Sequence, residues 1–590
     1  MESLSVDCKE FSLSNDYYDV ITDYPLQSGE VQDLDACAVA VENLYNIVYV
    51  NRNNIEDLED YFFQYRSIPK LYGLMQSENT GAGTGVGLAS AIGPVGTTFD
   101  AAGLIDTGIL RVQQEPLSLT GRGVVVCIID TGIDYTLPVF RDEAGNSRIL
   151  SIWDQTVQTG TPPEGFFFGS EYRREDIQQA LQEEDPYAIV PSRDEIGHGT
   201  ELASVAAGSR IDGGSGFLGA APNAEIVVVK LKPCKQYLRD FYLLPQNVPA
   251  YSETDLMLAV QYAEGFADQF RRPLVICLGV GTSYGDHEGN SSLTRYLNIV
   301  GGRRSRAVVV CGGNEGNADH HFQTQLILED NRREPLEVEV RVGENEKGFL
   351  MEFWGSAPDV FTVSARSPGG ESTPPVRLGL REGITYGFVY ERTRISMVGE
   401  IVEPSSGAEL ILLRIQDPTP GIWTFQVEAL EMGTAGELHI WLPIRQFLSG
   451  DTYFLTPSPY VTLTEPIFGD NVIGVSAYNV ANNGVYIDSG RGFSRNGKIF
   501  PTLAAPGVNV STVRGKRSGT GVAAAMCAGA VAQFMEWAVV RGNNDIVSGR
   551  EVRNYLVRGA DRNTVYTYPN REWGYGSLNM VGTFDALIGV

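Results

Sequence analysis

Eight residues restrict the fold of this chain more than any others. Gly123-Val124-Val125-Val126-Cys127-Ile128-Ile129-Asp130 is an unbroken apolar run that ends in an acid. A strand with one face in water alternates apolar and polar residues, whereas a run without alternation needs cover on both faces. This one predicts an inner strand of a parallel sheet, with a carboxylate at the end where such sheets carry their functional groups. Residues 226–229, 274–278 and 307–311 have the same character, and helical segments such as 254–267 lie between them. The alternation predicts a doubly wound α/β domain.

A chain of 590 residues exceeds one ordinary domain, and three or four structural units are expected. Residues 1–78 read as a small α/β unit, with a strand over 46–50 and helical spacing from Ile55 to Tyr65. The Gly/Ala-rich stretch 80–98 reads as a linker or exposed loop. Between about 325 and 455 the helical patterns vanish. Short strands over 336–342, 350–354, 384–390, 410–415 and 438–442 are separated by Gly, Pro and charged turns. They predict an antiparallel sandwich or jelly roll. The α/β signal resumes at Val472-Ile473-Gly474-Val475, so the all-β module is inserted into the α/β domain. The expected divisions are 1–78, 79–324, 325–455 and 456–590.

Composition excludes some partners. The chain carries 73 acidic against 45 basic residues, a net charge of −28. Such a surface repels the phosphates of nucleic acid and favours solubility or a basic partner. The first eight residues have neither a basic nor an apolar region of the kind found in a secretory signal, and no apolar run of membrane-spanning length is evident. Seven scattered cysteines without a Cys-x-x-Cys pair predict a reducing, cytoplasmic setting with neither structural disulfides nor zinc.

Three stretches carry chemistry. Ile129-Asp130-Thr131-Gly132 puts a carboxylate at a strand end, Gly197-His198-Gly199-Thr200 precedes a helix of small residues, and Gly519-Thr520-Gly521 precedes another. A fourth, Gly312-Gly313-Asn314-Glu315-Gly316, offers an amide side chain at the end of a buried run. Each is weak alone. Their order is acid, histidine and then nucleophile position, and together they resemble the subtilisin-like serine proteases (subtilases). In that family the last stretch reads Gly-Thr-Ser-x-Ala. Here Gly521 stands where the serine belongs.

The resemblance narrows to the clostridial Csp germination proteases through Ile149-Leu150-Ser151-Ile152-Trp153-Asp154-Gln155-Thr156, through Asn314-Glu315-Gly316-Asn317 followed by His320-His321, and through Tyr568-Pro569-Asn570-Arg571-Glu572-Trp573-Gly574-Tyr575-Gly576. The long β-rich insert agrees. The resemblance covers nearly the whole chain and implies a subtilase core, an N-terminal prodomain and a jelly-roll insert. It implies that Asp130 orients the histidine, that His198 is the general base and that Asn314 donates to an oxyanion. It also implies that Cys277-Leu278-Gly279 matches the substrate-binding edge segment, with cysteine replacing serine, and that some members are pseudoproteases regulating an active partner.

Glycine has no side chain and forms no acyl-enzyme. Ser518 lies three residues too early to take the position without a shift of several ångströms. The expectation is therefore a subtilisin-like pseudoprotease without metal or cofactor. Its expected partners are a peptide or protein, such as an active Csp-type protease, or a small germinant. It is expected to be cytoplasmic at synthesis and incorporated into the spore. Two alternatives stay open on the residues alone. One is an active endopeptidase cleaving a germination zymogen. The other is an interaction protein acting through the insert. Asp130 and His198 also fit a purely structural hydrogen bond that stabilises the core.

Overall fold

The computed structural model describes residues 8–23, 36–42, 44–54, 65–75, 99–212, 216–325, 335–376, 382–431 and 436–587. The expected linker at 80–98 and most of the expected helix at 55–65 lie outside the described residues.

The predicted inner strands form one sheet. Its spatial order runs Gly484–Val485, Ile473–Asn479, Arg306–Cys311, Leu274–Leu278, Val125–Asp130, Glu225–Lys230, Ile149–Asp154 and Ser170–Arg173, with Leu503–Pro506 beside Ile473–Asn479. Seven strands are parallel, and Gly484–Val485 and Ser170–Arg173 join antiparallel. Val125–Asp130 is buried along its whole length. It sits in the middle, where the chain turns first to one side and later to the other. Crevices at the carboxyl ends of the strands flanking such a switch point are where α/β sheets bind ligands.

The helix Thr520–Met535 is made almost entirely of small residues and is buried throughout. It continues to Val540, and the stretch is long and apolar enough to cross a membrane, yet most of it is buried inside the domain. The small residues allow close packing on the helix His198–Ala207: a Cβ at Gly529 would collide with the Ala206 carbonyl and the Ala220 methyl. That approach brings the ends of the two helices to one place.

The N-terminal unit has a short helix, Lys9–Leu13, and an antiparallel sheet in the order Tyr17–Thr22, Tyr45–Asn51, Ala36–Val41. One sequence expectation is corrected here. Cys8 and Cys37 form a disulfide, with Cα atoms 5.7 Å apart. Twenty-nine residues separate them in sequence, and only the docking of the helix on the sheet makes them neighbours. The other five cysteines are free and buried.

Between His321 and Phe454 the chain forms two antiparallel sheets. The first runs His321–Gln325, Glu437–Trp441, Gly348–Gly355, Glu409–Gln416, Arg394–Glu400, Glu382–Gly387. The second runs Val360–Arg366, Gly421–Glu431, Leu336–Val342, Tyr453–Phe454. Leu336–Val342, predicted as a strand, alternates, with Val338, Val340 and Val342 inward. Gly348–Gly355 does not alternate. It is buried on both faces, with Phe349, Met351 and Phe353 in the sandwich core and Leu350 and Trp354 in the core of the α/β domain. At this junction Trp441 of the insert stacks on His287 with centroids 4.0 Å apart.

Candidate active site

One side of the groove is built around Asp130. The Thr131 N–H donates to its Oδ1 at 2.7 Å. His198 opens its helix with Nδ1 2.8 Å from the same oxygen, and both side chains are buried. Asp194 holds the histidine loop in place. Its carboxylate accepts from the N–H groups of Gly197 (2.7 Å) and Thr200 (2.8 Å) and from the hydroxyls of Thr131 and Thr200. N–H groups in a helix's first turn have no partner within the helix, and a carboxylate there also suits the dipole. The sequence reading missed Asp194; the signal was a carboxylate three residues ahead of Gly-His-Gly-Thr. Burial disfavours the charged form of His198, but the Asp130 carboxylate outweighs it, so the imidazole pKa is raised above its ordinary value.

Gly521 is the second residue of the helix Thr520–Met535. A Cβ built on it lies 3.4 Å from His198 Nε2 and 2.9 Å from the carbonyl oxygen of Met75. Position 521 therefore faces the histidine. Asn314 follows the strand Arg306–Cys311. Its Oδ1 accepts from the Thr520 N–H (3.0 Å) and hydroxyl (3.1 Å). Its buried Nδ2 has no hydrogen-bond partner among the described residues. Asp130, His198, Asn314 and Gly521 are thus brought together from four separate stretches.

The groove is occupied by the chain itself. Leu71–Leu74 is the middle strand of a three-stranded sheet, between Val280–Gly281 and Tyr251–Ser252. Leu74 pairs with Val280 and Gly73 with Gly281 on one side, and Leu71 with Ser252 and Tyr72 with Tyr251 on the other. The Met75 N–H donates to the Gly279 carbonyl at 2.9 Å, and the Gly521 N–H donates to the Met75 carbonyl at 3.2 Å. Gln446 of the insert donates to the Leu74 carbonyl at 3.0 Å. Sequence reasoning did not find this strand. Four residues that include a glycine carry no periodicity, and the groove supplies what the pattern lacks.

Of the expected substrate-binding residues, Gly279 hydrogen-bonds this segment, through the Met75 N–H. Cys277 does not lie at an edge: it sits between Val309 and Ile128 in the middle of the large sheet, fully buried. Leu278 is buried as well. Burial and nearby groups, Cys311 first among them, push the Cys277 thiol well above its usual range, which leaves it an inert packing group.

Ser518 Oγ accepts from the Asn509 N–H at 3.0 Å. The adjacent histidines face different partners. His320 Nδ1 lies 2.7 Å from Glu315 Oε2, and His321 Nε2 lies 3.0 Å from His439 Nδ1. Among the described residues no group of three or more His, Cys, Asp or Glu side chains is arranged to hold a metal ion.

The peptidase S8 (subtilase) family profile matches residues 121–365 and 450–576, more than half of the chain. The gap between the two matched segments falls within the insert. The CspB protease of Clostridium perfringens superposes with a TM-score of 0.72 at 30% identity, over 83% of this chain and 100% of that one. The maturation proteases PagA of prenylagaramide and PatG of patellamide also match, at 13% and 14% identity with TM-scores of 0.39 and 0.37. Each match covers 82% of this chain, with 99% of PagA and 96% of PatG. No curated protein sequence matches the chain.

Proposed function

The chain belongs to the subtilase family, and we propose that it is a catalytically inactive member of the Csp type. In this reading it acts in spore germination by regulating a partner protease or sensing a small signal, not by cutting peptide bonds. The observation that carries the reading is at position 521. Acyl transfer needs an oxygen or sulfur nucleophile within reach of the base. Gly521 offers only its N–H, which holds the Met75 carbonyl. Among the described residues no hydroxyl bonds to His198.

Asp130 and His198 are then a retained orienter and base without a nucleophile, and Asn314 a retained oxyanion donor. Loss of the nucleophile leaves only about 10⁻³ to 10⁻⁶ of normal subtilase turnover, supplied by binding and the oxyanion donors. The groove still binds an extended peptide, because its two rims pair with the backbone of Leu71–Leu74. A partner peptide enters by replacing that strand, through β-augmentation.

The test is direct. The purified full chain should stay intact at 64.3 kDa on storage and leave unstructured peptides uncut. Peptide hydrolysis that a serine-protease inhibitor abolishes overturns the reading.

A further inference from the structure

The N-terminal sheet, the helix Gln236–Phe241 and the insert strand Glu409–Gln416 meet around a cavity of about 370 Å³. That volume falls in the range of small-molecule sites. Its apolar walls come from Tyr18, Val20, Ile68, Tyr237 and Phe241. Tyr18 and Tyr237 meet edge to face with centroids 4.6 Å apart, which holds two aromatic surfaces at a fixed angle.

Two guanidinium groups border this apolar space. Arg414 is partly buried; its Nε donates to the Phe241 carbonyl at 2.9 Å and one terminal nitrogen to the Asp240 carbonyl at 2.7 Å. Arg52 lies over the Tyr18 ring, 5.2 Å from its centroid, and makes only a long 3.4 Å contact with the Asn15 carbonyl. Neither forms an ion pair among the described residues. A guanidinium has five N–H donors, so both keep donors to spare. Asp19, also in the wall, is taken: its carboxylate pairs with Lys235 at 2.7 Å. The Asp240 carboxylate is exposed and accepts from Gln236 at 2.8 Å. In a chain with a net charge of −28, two arginines that form no ion pair among the described residues border one aromatic cavity, and the Asp240 charge acts on Arg414 without pairing with it.

We propose that this junction cavity binds a small organic anion: a flat apolar ring system seated against Tyr18, Tyr237 and Phe241, with one carboxylate on Arg414 and Arg52. A planar guanidinium matches a carboxylate in a two-point hydrogen bond, and partial burial strengthens the pair. The site also touches the groove's own occupant. Ser67 and Ile68 are part of the wall, and they lie just ahead of Leu71–Leu74, so a ligand here bears on the chain that delivers Met75. The chemistry of the cavity is independent of the nucleophile at position 521.

Calorimetric titration of the full chain with 2-naphthoate tests the site, with neutral 2-naphthylmethanol as the uncharged control. Saturable binding at one per chain is expected, and the alcohol should bind at least about tenfold more weakly. Arg414→Met and Arg52→Gln should each weaken naphthoate by a similar factor, and Ile68→Trp, which fills the cavity, should abolish it. Arg414 also holds two backbone carbonyls. If Arg414→Met fails to fold, the exposed Arg52→Gln and the cavity-filling Ile68→Trp decide the matter. No heat at millimolar naphthoate, equal binding of the alcohol, or binding unchanged in both Arg52→Gln and Ile68→Trp overturns the proposal.

Discussion

The two sides of the groove face each other across the same few ångströms, and their hydrogen bonds do different work. On the base side, Asp130, Thr131, Asp194, His198 and Thr200 are linked through buried contacts of 2.6–2.8 Å. On the nucleophile side, the corresponding contacts run to another part of the chain: Gly521 to Met75 at 3.2 Å, and Gly279 to Met75 at 2.9 Å. A preorganised base is therefore compatible with a groove that performs no covalent step. Orientation of the base is a property of the strand end and the helix start. Attack is a property of a single side chain. The first persists here without the second, and a glycine at 521 also lets the Met75 carbonyl come closer than a side chain would allow.

The sharpest way to break this comparison is to restore the missing atoms. Gly521→Ser should cut its own chain between Met75 and Gln76, at least about a thousandfold faster than the parent, and adding His198→Ala should stop it. The new Cβ lies 2.9 Å from the Met75 oxygen, so a small shift of the strand must accompany the change. Intact-mass measurement reads the cut. A cut elsewhere, or a folded variant that stays whole, separates position 521 from the histidine.

Asn314→Ala, placed in the Gly521→Ser chain, should slow self-cleavage by about 10² to 10³. The Nδ2 has no partner among the described residues, so its loss should be felt mainly in the transition state. An unchanged rate in a quenched time course removes Asn314 from that role.

Tyr72→Ala tests the nucleophile side without adding chemistry. Tyr72 is fully buried, and truncating a buried aromatic costs about 3–5 kcal/mol. Hydrogen-exchange protection of the Met75 amide should fall by roughly a hundredfold or more, while amides of Val125–Asp130 keep theirs. Equal loss in both places makes the strand part of the global core, not a removable occupant.

The smallest effect belongs to the base side. The His198 pKa is raised, so its contribution to stability is fully present below the unfolded value of about 6.5 and is lost as pH rises through the folded value. Asp130→Asn should lower the His198 titration, followed by NMR, because burial is then opposed only by the smaller effects of the Glu201 and Asp194 charges. The stability cost should be about 2 kcal/mol near pH 6 and shrink toward pH 9. A cost that does not change with pH assigns Asp130 a purely structural hydrogen bond.

Much of this architecture is legible in the residues. The apolar runs at 123–130, 226–229, 274–278 and 307–311 became inner strands, because burial on both faces leaves no polar position to write. Alternation at 336–342 became a strand with one wet face. The doubly buried Gly348–Gly355 was readable as a strand, but nothing in its pattern said that its second face meets another domain. Asp194 was overlooked because a carboxylate in a loop is ordinary until the helix it caps is known. Cys277 looked like an edge residue on its motif alone; its neighbours in the sheet place it in the interior.

What the sequence by itself determined is the chemistry that position 521 lacks, since a side chain that is not encoded is supplied by no fold. It also determined the α/β class, because strand burial is written locally in residue type. Tertiary structure alone decided what fills the vacant position. Leu71–Leu74 has no pattern of its own, and its partners at Tyr251–Ser252 and Val280–Gly281 lie far away in sequence. The Cys8–Cys37 bond and the junction cavity have the same origin. Each is made by segments distant in sequence that meet only in the folded structure, and no stretch of chain records what it will later face.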